Sequence, residues 1–361
     1  MNREAAPLEL ELVGMIEAAG PMPLDRYMAL CLGHPLYGYY MTRDPLGSAG
    51  DFTTAPEVTQ MFGEIIGIWC MQCFEVMGKP QGFDLIELGP GRGTLMSDLL
   101  RAARAMPEFL ERVRIRLVEM SPVLRAAQEK ALTGTPAAVT WHDSLDGIPS
   151  AATLLIANEF FDALPVRQFQ RLQQGWAERA IGLKEGKLAM GLIPTALKLP
   201  DWTAQAKEGD IAEMRPAAAH WGASIGERLA HNLGAALIID YGHLRSSLGD
   251  TLQGVRHHQM VSVLERPGDT DLTSHVDFEA LGQAIRSGGA SLWPAMTQAS
   301  FLHDMGLELR AGILARNASE AEKRDLSAAM ERVAGPKQMG HLFKVMAATS
   351  RGLPRPHPFS G

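Results

Sequence analysis

Hydrophobic residues recur at helical spacing in the first part of the chain and then collect into short unbroken runs. Residues 8–19 and 24–32 read as two short helices divided by the breaker-rich stretch Gly20-Pro21-Met22-Pro23-Leu24. Apolar positions at Val58, Met61, Phe62, Ile65, Ile66, Trp69 and Phe74 predict one continuous helix from about Pro56 to Met77. Beyond it, apolar runs of strand length alternate with amphipathic stretches: strand 83–88, helix 94–105, strand 113–119, helix 122–132, a short strand near 138–141 and strand 152–158. Apolar strands alternating with helices predict a parallel sheet covered on both faces. Residues 165–193 break the alternation and read as antiparallel strands joined at Gln174-Gly175 and Glu185-Gly186. Irregular structure with helices is expected over 194–233. Strand 235–242 then resumes the sheet, with helices near 277–287, 306–316 and 319–333 and a last strand at 341–349.

The pattern divides the chain into an N-terminal helical extension with a flap (1–80), a core split between 81–165 and 235–350, an inserted β/α lobe (166–234) and a loosely ordered tail (351–361). The flap is the Gly-, Pro- and Thr-rich segment 33–57, and so long a loop in a compact domain is usually functional.

Composition narrows the function. A chain of 361 residues with 46% apolar content can build a sizeable core. A net charge of -7 speaks against nucleic acid as partner. No apolar stretch is long enough for membrane insertion, and the acidic N-terminal segment resembles neither a secretory signal nor a transit peptide, so a cytoplasmic location is expected. Cys31, Cys70 and Cys73 are too few for a disulfide framework. Cys70 and Cys73 fall inside a helical pattern with no second pair to complete a zinc site. His257-His258 has no further ligand spacing either, so no metal is expected.

The glycine turn carries the chemistry. Gly89-Pro90-Gly91-Arg92-Gly93-Thr94 follows the strand and opens a helix, which allows close backbone approach to a ligand. A dinucleotide fingerprint needs a third small residue, yet counting from Gly89 gives Thr94 and from Gly91 gives Met96. Glu87, just before the turn, would repel a pyrophosphate and suits a ligand with a cationic part. S-adenosylmethionine is such a ligand: it has a sulfonium, an ammonium, one carboxylate, a ribose and an adenine. Glu119, at the end of the next strand, can accept from ribose hydroxyls, and Asp143 from the adenine amino group. The fourth strand ends in Asn158-Glu159, where a methyl group would face its acceptor. All these polar groups fall at C-terminal strand ends, where ligands bind in open α/β sheets. A nicotinamide-dependent dehydrogenase is the alternative, and Glu87 and the missing third glycine count against it.

Four stretches, 20–64, 86–104 (IELGPGRGTLMSDLLRAAR), 157–169 (ANEFFDALPVRQF) and 271–278 with 339–346, resemble the MidA family of S-adenosylmethionine-dependent protein arginine methyltransferases. The mitochondrial member of that family assists assembly of respiratory complex I. The resemblance implies a class I methyltransferase (Rossmann-like) fold, with a mostly parallel seven-stranded sheet flanked by helices and an extra lobe. It also implies arginine methylation, with symmetric dimethylarginine as product, on a protein such as a subunit of NADH:ubiquinone oxidoreductase. Gly89, Gly91 and Gly93 match the family's cofactor motif. The chain looks like a bacterial, cytoplasmic member, and a homodimer is expected.

Methylating a guanidinium requires carboxylates to clamp and aim it. Glu159 and Asp162 are the candidates, with Asn158 fixing the acceptor; Asp162 could instead cap a short helix. Asp51 and Thr53 are expected in a flap over the cofactor, and Thr54 with Glu57 reads as a capping box. Tyr37, beside Tyr39 and Tyr40, is expected to line a substrate groove, and Asp240 to touch substrate. His275 could take the released proton with Asp277 orienting it, although Asp277 could equally cap the helix beginning at Phe278. Arg92 is expected to be a surface or partner contact. A small-molecule methyltransferase and a cofactor-binding assembly factor without essential catalysis are the competing functions.

Overall fold

The computed structural model describes residues 6–44, 47 and 53–359. Its largest sheet contains β1 (Phe83–Leu88), β2 (Val113–Val118), β3 (Ala138–His142), β4 (Thr153–Asn158), β5 (Gly234–His243), β6 (Ser291–Thr297) and β7 (Phe343–Thr349). The spatial order is β3-β2-β1-β4-β5-β7-β6. Strands β1 to β5 run parallel, and β7 is antiparallel to both of its neighbours. Val276–Asp277 pairs with the end of β5 as a short eighth strand.

Every residue of β1 is buried, as is all of β4 except Asn158, because helices cover both faces. Alternate residues feed the two cores. Leu85, Ile115, Ile156 and Leu237 pack with Phe62, Ile66, Trp69 and Leu99 on one face. Ile86, Leu155 and Ile238 pack with Ile225, Leu229, Leu281 and Ile285 on the other.

The helix expected over Pro56–Met77 is two helices, Ala55–Val58 and Gln60–Val76. Thr59 is extended between them (φ -158°, ψ 137°), and its hydroxyl accepts the Met61 N–H at 3.3 Å, so it caps the second helix. No side chain caps the first, so the Thr54–Glu57 capping box does not form.

The lobe strands Arg167–Leu172, Gly175–Lys184 and Lys187–Pro194 pair antiparallel, and Ile211–Met214 extends them. Met22–Pro23 joins the same sheet. The N-terminal helices Pro7–Ala19 and Leu24–Gly33 therefore share a core with the lobe through Leu8, Leu12, Tyr27, Val166 and Ile181. A three-stranded sheet that the pattern did not announce, Gln253–Arg256, Gln259–Val261 and Asp271–Thr273, adds Leu272 to that core. Helix Pro216–His231 packs instead on helix Phe278–Ser287: a Cβ on Gly226 would come within 2.1 Å of the Ile285 carbonyl oxygen. The insertion thus ends near Arg215 rather than at residue 234. In the described part of the tail, Pro356, Pro358 and Phe359 are buried, with the Phe359 ring centroid 6.0 Å from that of Phe301, while most of residues 351–355 are exposed. Cys31, Cys70 and Cys73 are free and buried. No helix among the described residues is long and apolar enough to cross a membrane.

Candidate active site

The chain order reverses between β1 and β4, and this is where open α/β sheets form a ligand crevice. A cavity of about 340 Å³ lies there, walled by the glycine turn, the ends of β1, β2 and β4, helix Leu24–Gly33, helix Ala55–Val58 and Trp221.

Gly89, Gly91 and Gly93 all have positive φ (60°, 56° and 81°), the left-handed region that favours glycine. At Gly89 space is short as well, since a Cβ would come 3.0 Å from Phe160 Cδ2. Gly93 precedes helix Thr94–Ala103 and donates its N–H to the Pro90 carbonyl at 2.9 Å. Gly89 and Gly91 line the cavity, whereas Gly93 shapes the turn from outside it.

Glu87, the penultimate residue of β1, is buried against the cavity, and its Oε2 has no protein partner. Burial pushes its carboxyl up to about 8. Glu119 follows β2 and accepts from the Ser121 N–H (2.8 Å) and Gln128 Nε2 (3.3 Å); burial raises its pKa. Asp143 is exposed at the rim and paired with Arg125 at 2.6 Å.

At the end of β4, Glu159 adopts φ +51°, a conformation that costs a non-glycine residue roughly 1–3 kcal/mol and often marks a functional site. Its Oε1 accepts from the Ala55 N–H and from Asn158 Nδ2, each at 3.2 Å. Burial, then the neighbouring Asp162 carboxylate, push Glu159 up to about 8. Burial raises Asp162 to about 6 against a hydrogen bond from Tyr241. Both line the cavity with Asn158, and Asn158 Oδ1 and Asp162 Oδ1 are buried without protein partners. Asp162 caps no helix; it lies in a turn.

Asp240 does not reach the cavity. It is fully buried beneath the 159–162 loop and accepts the N–H groups of Phe160 (3.2 Å), Phe161 (2.9 Å) and Asp162 (3.3 Å). The expected substrate contact is therefore a loop support. His275 is not among the cavity-lining residues either. Its N–H donates to Thr251 Oγ1 and its ring meets Tyr241 edge-on at 5.4 Å. Asp277 caps helix Phe278–Ser287 through the Ala280 N–H. Tyr37 stacks on His34 away from the cavity, and Tyr40 lines it instead. Thr53 does not line the cavity, and Asp51 lies outside the described residues.

Three residues carry roles the sequence did not announce. Arg92 is not a free surface side chain: it donates to Asp44 Oδ2 at 2.7 Å and to Glu57 Oε2 at 3.5 Å. Glu57 also accepts from the Thr94 hydroxyl. Trp221 meets Phe160 edge-on at 5.1 Å over the cavity; it falls in a stretch with no readable motif.

Glu57, Glu87, Glu119, Asp143, Glu159 and Asp162 line the cavity, against Arg92 as its basic side chain among the described residues. Buried polar atoms without partners call for a ligand or water, and this acidic surplus suits a ligand of net positive charge. S-adenosylmethionine fits both conditions. Glu87 and the glycine turn would hold its amino acid end, and Glu119 its ribose.

Residues 65–295 match a family described as "Putative S-adenosyl-L-methionine-dependent methyltransferase". The chain is 36% identical over 364 residues to protein arginine methyltransferase NDUFAF7, mitochondrial, of Xenopus tropicalis, spanning 92% of this chain and 83% of the relative. It is 35% identical over 367 residues to the protein of that name from Homo sapiens, spanning 94% and 83%. A crystal structure of a Burkholderia thailandensis protein bound to S-adenosyl-homocysteine is 28% identical and aligns with a TM-score of 0.85, over 96% of this chain and 92% of that one.

Proposed function

The chain belongs to the S-adenosyl-L-methionine-dependent methyltransferase family, and from that membership we propose that it methylates arginine on a protein. The observation that carries this reading is the carboxylate pair Glu159 and Asp162 at the cavity wall, beside the unpartnered Asn158 amide oxygen. A guanidinium presents a planar fork of N–H donors and no acceptor, so the Asn158 amide oxygen and the two carboxyls in their ionised form complement it. The relatives named as protein arginine methyltransferases support the same acceptor.

When bound, S-adenosylmethionine supplies an electrophilic methyl group on its sulfonium. The chain's residues supply position and protonation. Glu159 and Asp162 grip the fork and aim one nitrogen, and holding the reactants in line can lower a barrier by about 7–11 kcal/mol. The reacting guanidinium must release one proton. Glu159, with its carboxyl near 8 before a cation arrives, is the group placed to receive it. Phe160, Leu164 and Trp221 give this part of the cavity wall apolar surface.

A subunit of NADH:ubiquinone oxidoreductase is the proposed acceptor and symmetric dimethylarginine the proposed product; a cytoplasmic homodimer completes the reading. The test is incubation of the purified protein with isotope-labelled S-adenosylmethionine and an extract of cells lacking its gene, with the label located by mass spectrometry. Label on an arginine ω-nitrogen of a protein is expected. Label confined to a small molecule, or to another side chain, would overturn arginine as acceptor.

A further inference from the structure

The four-residue helix Ala55–Val58 touches both halves of the cavity. Its first residue donates the Ala55 N–H to Glu159 Oε1 at 3.2 Å, on the acceptor side. Two residues later, Glu57 accepts from the Thr94 hydroxyl and, at 3.5 Å, from Arg92 Nη1, on the glycine-turn side. Ala55 and Pro56 are buried, proline fixes the first turn, and no side chain caps this helix, so Glu57 is not spent on its own backbone. The break at Thr59 separates the short helix from Gln60–Val76.

We propose that Glu57 is a positioning residue that couples the glycine turn to Glu159, so that occupancy of the cofactor side sets the aim of the acceptor carboxylate. The coupling runs from Thr94 and Arg92 to Glu57, along one helical turn to the Ala55 amide, and from there to Glu159. Asn158 Nδ2 supplies the other hydrogen bond to the same oxygen from the β4 side, so the helix decides one of two restraints on it. The proposal rests on the methyltransferase reading of the cavity. It adds an order of assembly, with the acceptor site completed after the cofactor site.

The test is a double-mutant cycle read by calorimetric binding of S-adenosylhomocysteine to the full chain. This ligand lacks the sulfonium, so a substitution at position 159 acts on it chiefly through the protein. Glu159→Gln is expected to change its Kd at least about fivefold in the parent and less than about twofold in a Glu57→Ala background, the non-additivity of groups that share partners. Glu57→Gln keeps an oxygen for Thr94 and should restore most of that difference. A generally loosened fold would weaken binding without creating the non-additivity. Should Glu57→Ala not fold, Thr94→Val removes the donor while leaving the helix untouched, and the same thresholds apply. Additive effects within about twofold, or Glu57→Gln behaving as Glu57→Ala, would overturn the coupling alone. No binding to the parent protein would overturn the cofactor reading with it.

Discussion

The Asp240 carboxylate accepts the backbone N–H of Phe161 at 2.9 Å from directly beneath the active-site loop. The same oxygen takes the N–H groups of Phe160 and Asp162, and the other oxygen takes that of Tyr241. One strand residue thereby fixes a loop whose first member, Glu159, holds a positive φ.

Removing that support should be costly. Asp240→Ala orphans several N–H groups, at about 1–3 kcal/mol for each left buried without a partner, so a loss of stability of at least about 3 kcal/mol is expected in urea melts. Asp240→Asn keeps an acceptor oxygen and should fold. Its turnover should fall more than its affinity for S-adenosylhomocysteine, because the displaced group is the acceptor loop.

Glu87 makes stability depend on pH. Its carboxyl lies near 8 in the folded protein against an ordinary value of 4.5, so the folded state binds the proton more tightly than the unfolded one. Its contribution is complete below about pH 4.5 and is lost as pH rises through 8, by about 1.4 kcal/mol per unit across the interval. Glu87→Gln cannot ionise. Without ligand it should melt higher than the parent at pH 8, with the gap closing towards pH 5, while binding S-adenosylmethionine more weakly. Equal melting temperatures at pH 8 would contradict the assignment.

Glu159 should set the pH profile of acceptor use. A guanidinium binds the carboxylate and not the acid. The KM for an arginine protein acceptor should therefore fall as pH rises towards about 8, by roughly tenfold per unit, and level off above. Glu159→Gln should lower kcat/KM by at least about a hundredfold. It should also shift the remaining break towards 6, where Asp162 titrates.

Gly89→Ala combines an unfavourable φ with a Cβ 3.0 Å from Phe160. A cost of roughly 1–3 kcal/mol is expected, with S-adenosylhomocysteine affinity falling at least about tenfold. Restored binding in a Gly89→Ala, Phe160→Leu double variant would identify the clash as the cause.

What the sequence made legible follows from locality. Strands buried on both faces are largely apolar, so Phe83–Leu88, despite its buried Asp84 and Glu87, and Thr153–Asn158 stood out, and the glycines of the turn announced a backbone that only glycine tolerates easily. Ser291–Thr297 did not, because Pro294 and the register shift between Trp293 and Met296 disrupt its pattern. The break at Thr59 was hidden because apolar spacing continues through it, and only backbone geometry reveals the cap. Gln253–Val261 was missed because His257 and His258, both at positive φ, make its turn where glycine or asparagine would have signalled one. In the site, the strand-end polar groups Glu87, Glu119, Asn158 and Glu159 could be read from their positions. Asp240, Glu57 and Trp221 owe their places to partners many residues away, and no local spacing records such a relation. His275 and Tyr37 show the converse: suitable chemistry in the sequence, directed elsewhere by the fold.

Carboxyl groups outnumber Arg92 around the cavity, and buried ones such as Glu87 and Glu159 ionise more readily when a cation sits beside them, so the cavity works as a miniature cation exchanger. Retention in such a compartment depends on the charge a ligand keeps. S-adenosylmethionine loses its sulfonium charge on giving up the methyl group, so reaction weakens the attraction that retained it. On charge alone, spent cofactor is expected to hold less tightly to these walls than fresh cofactor, which favours its replacement.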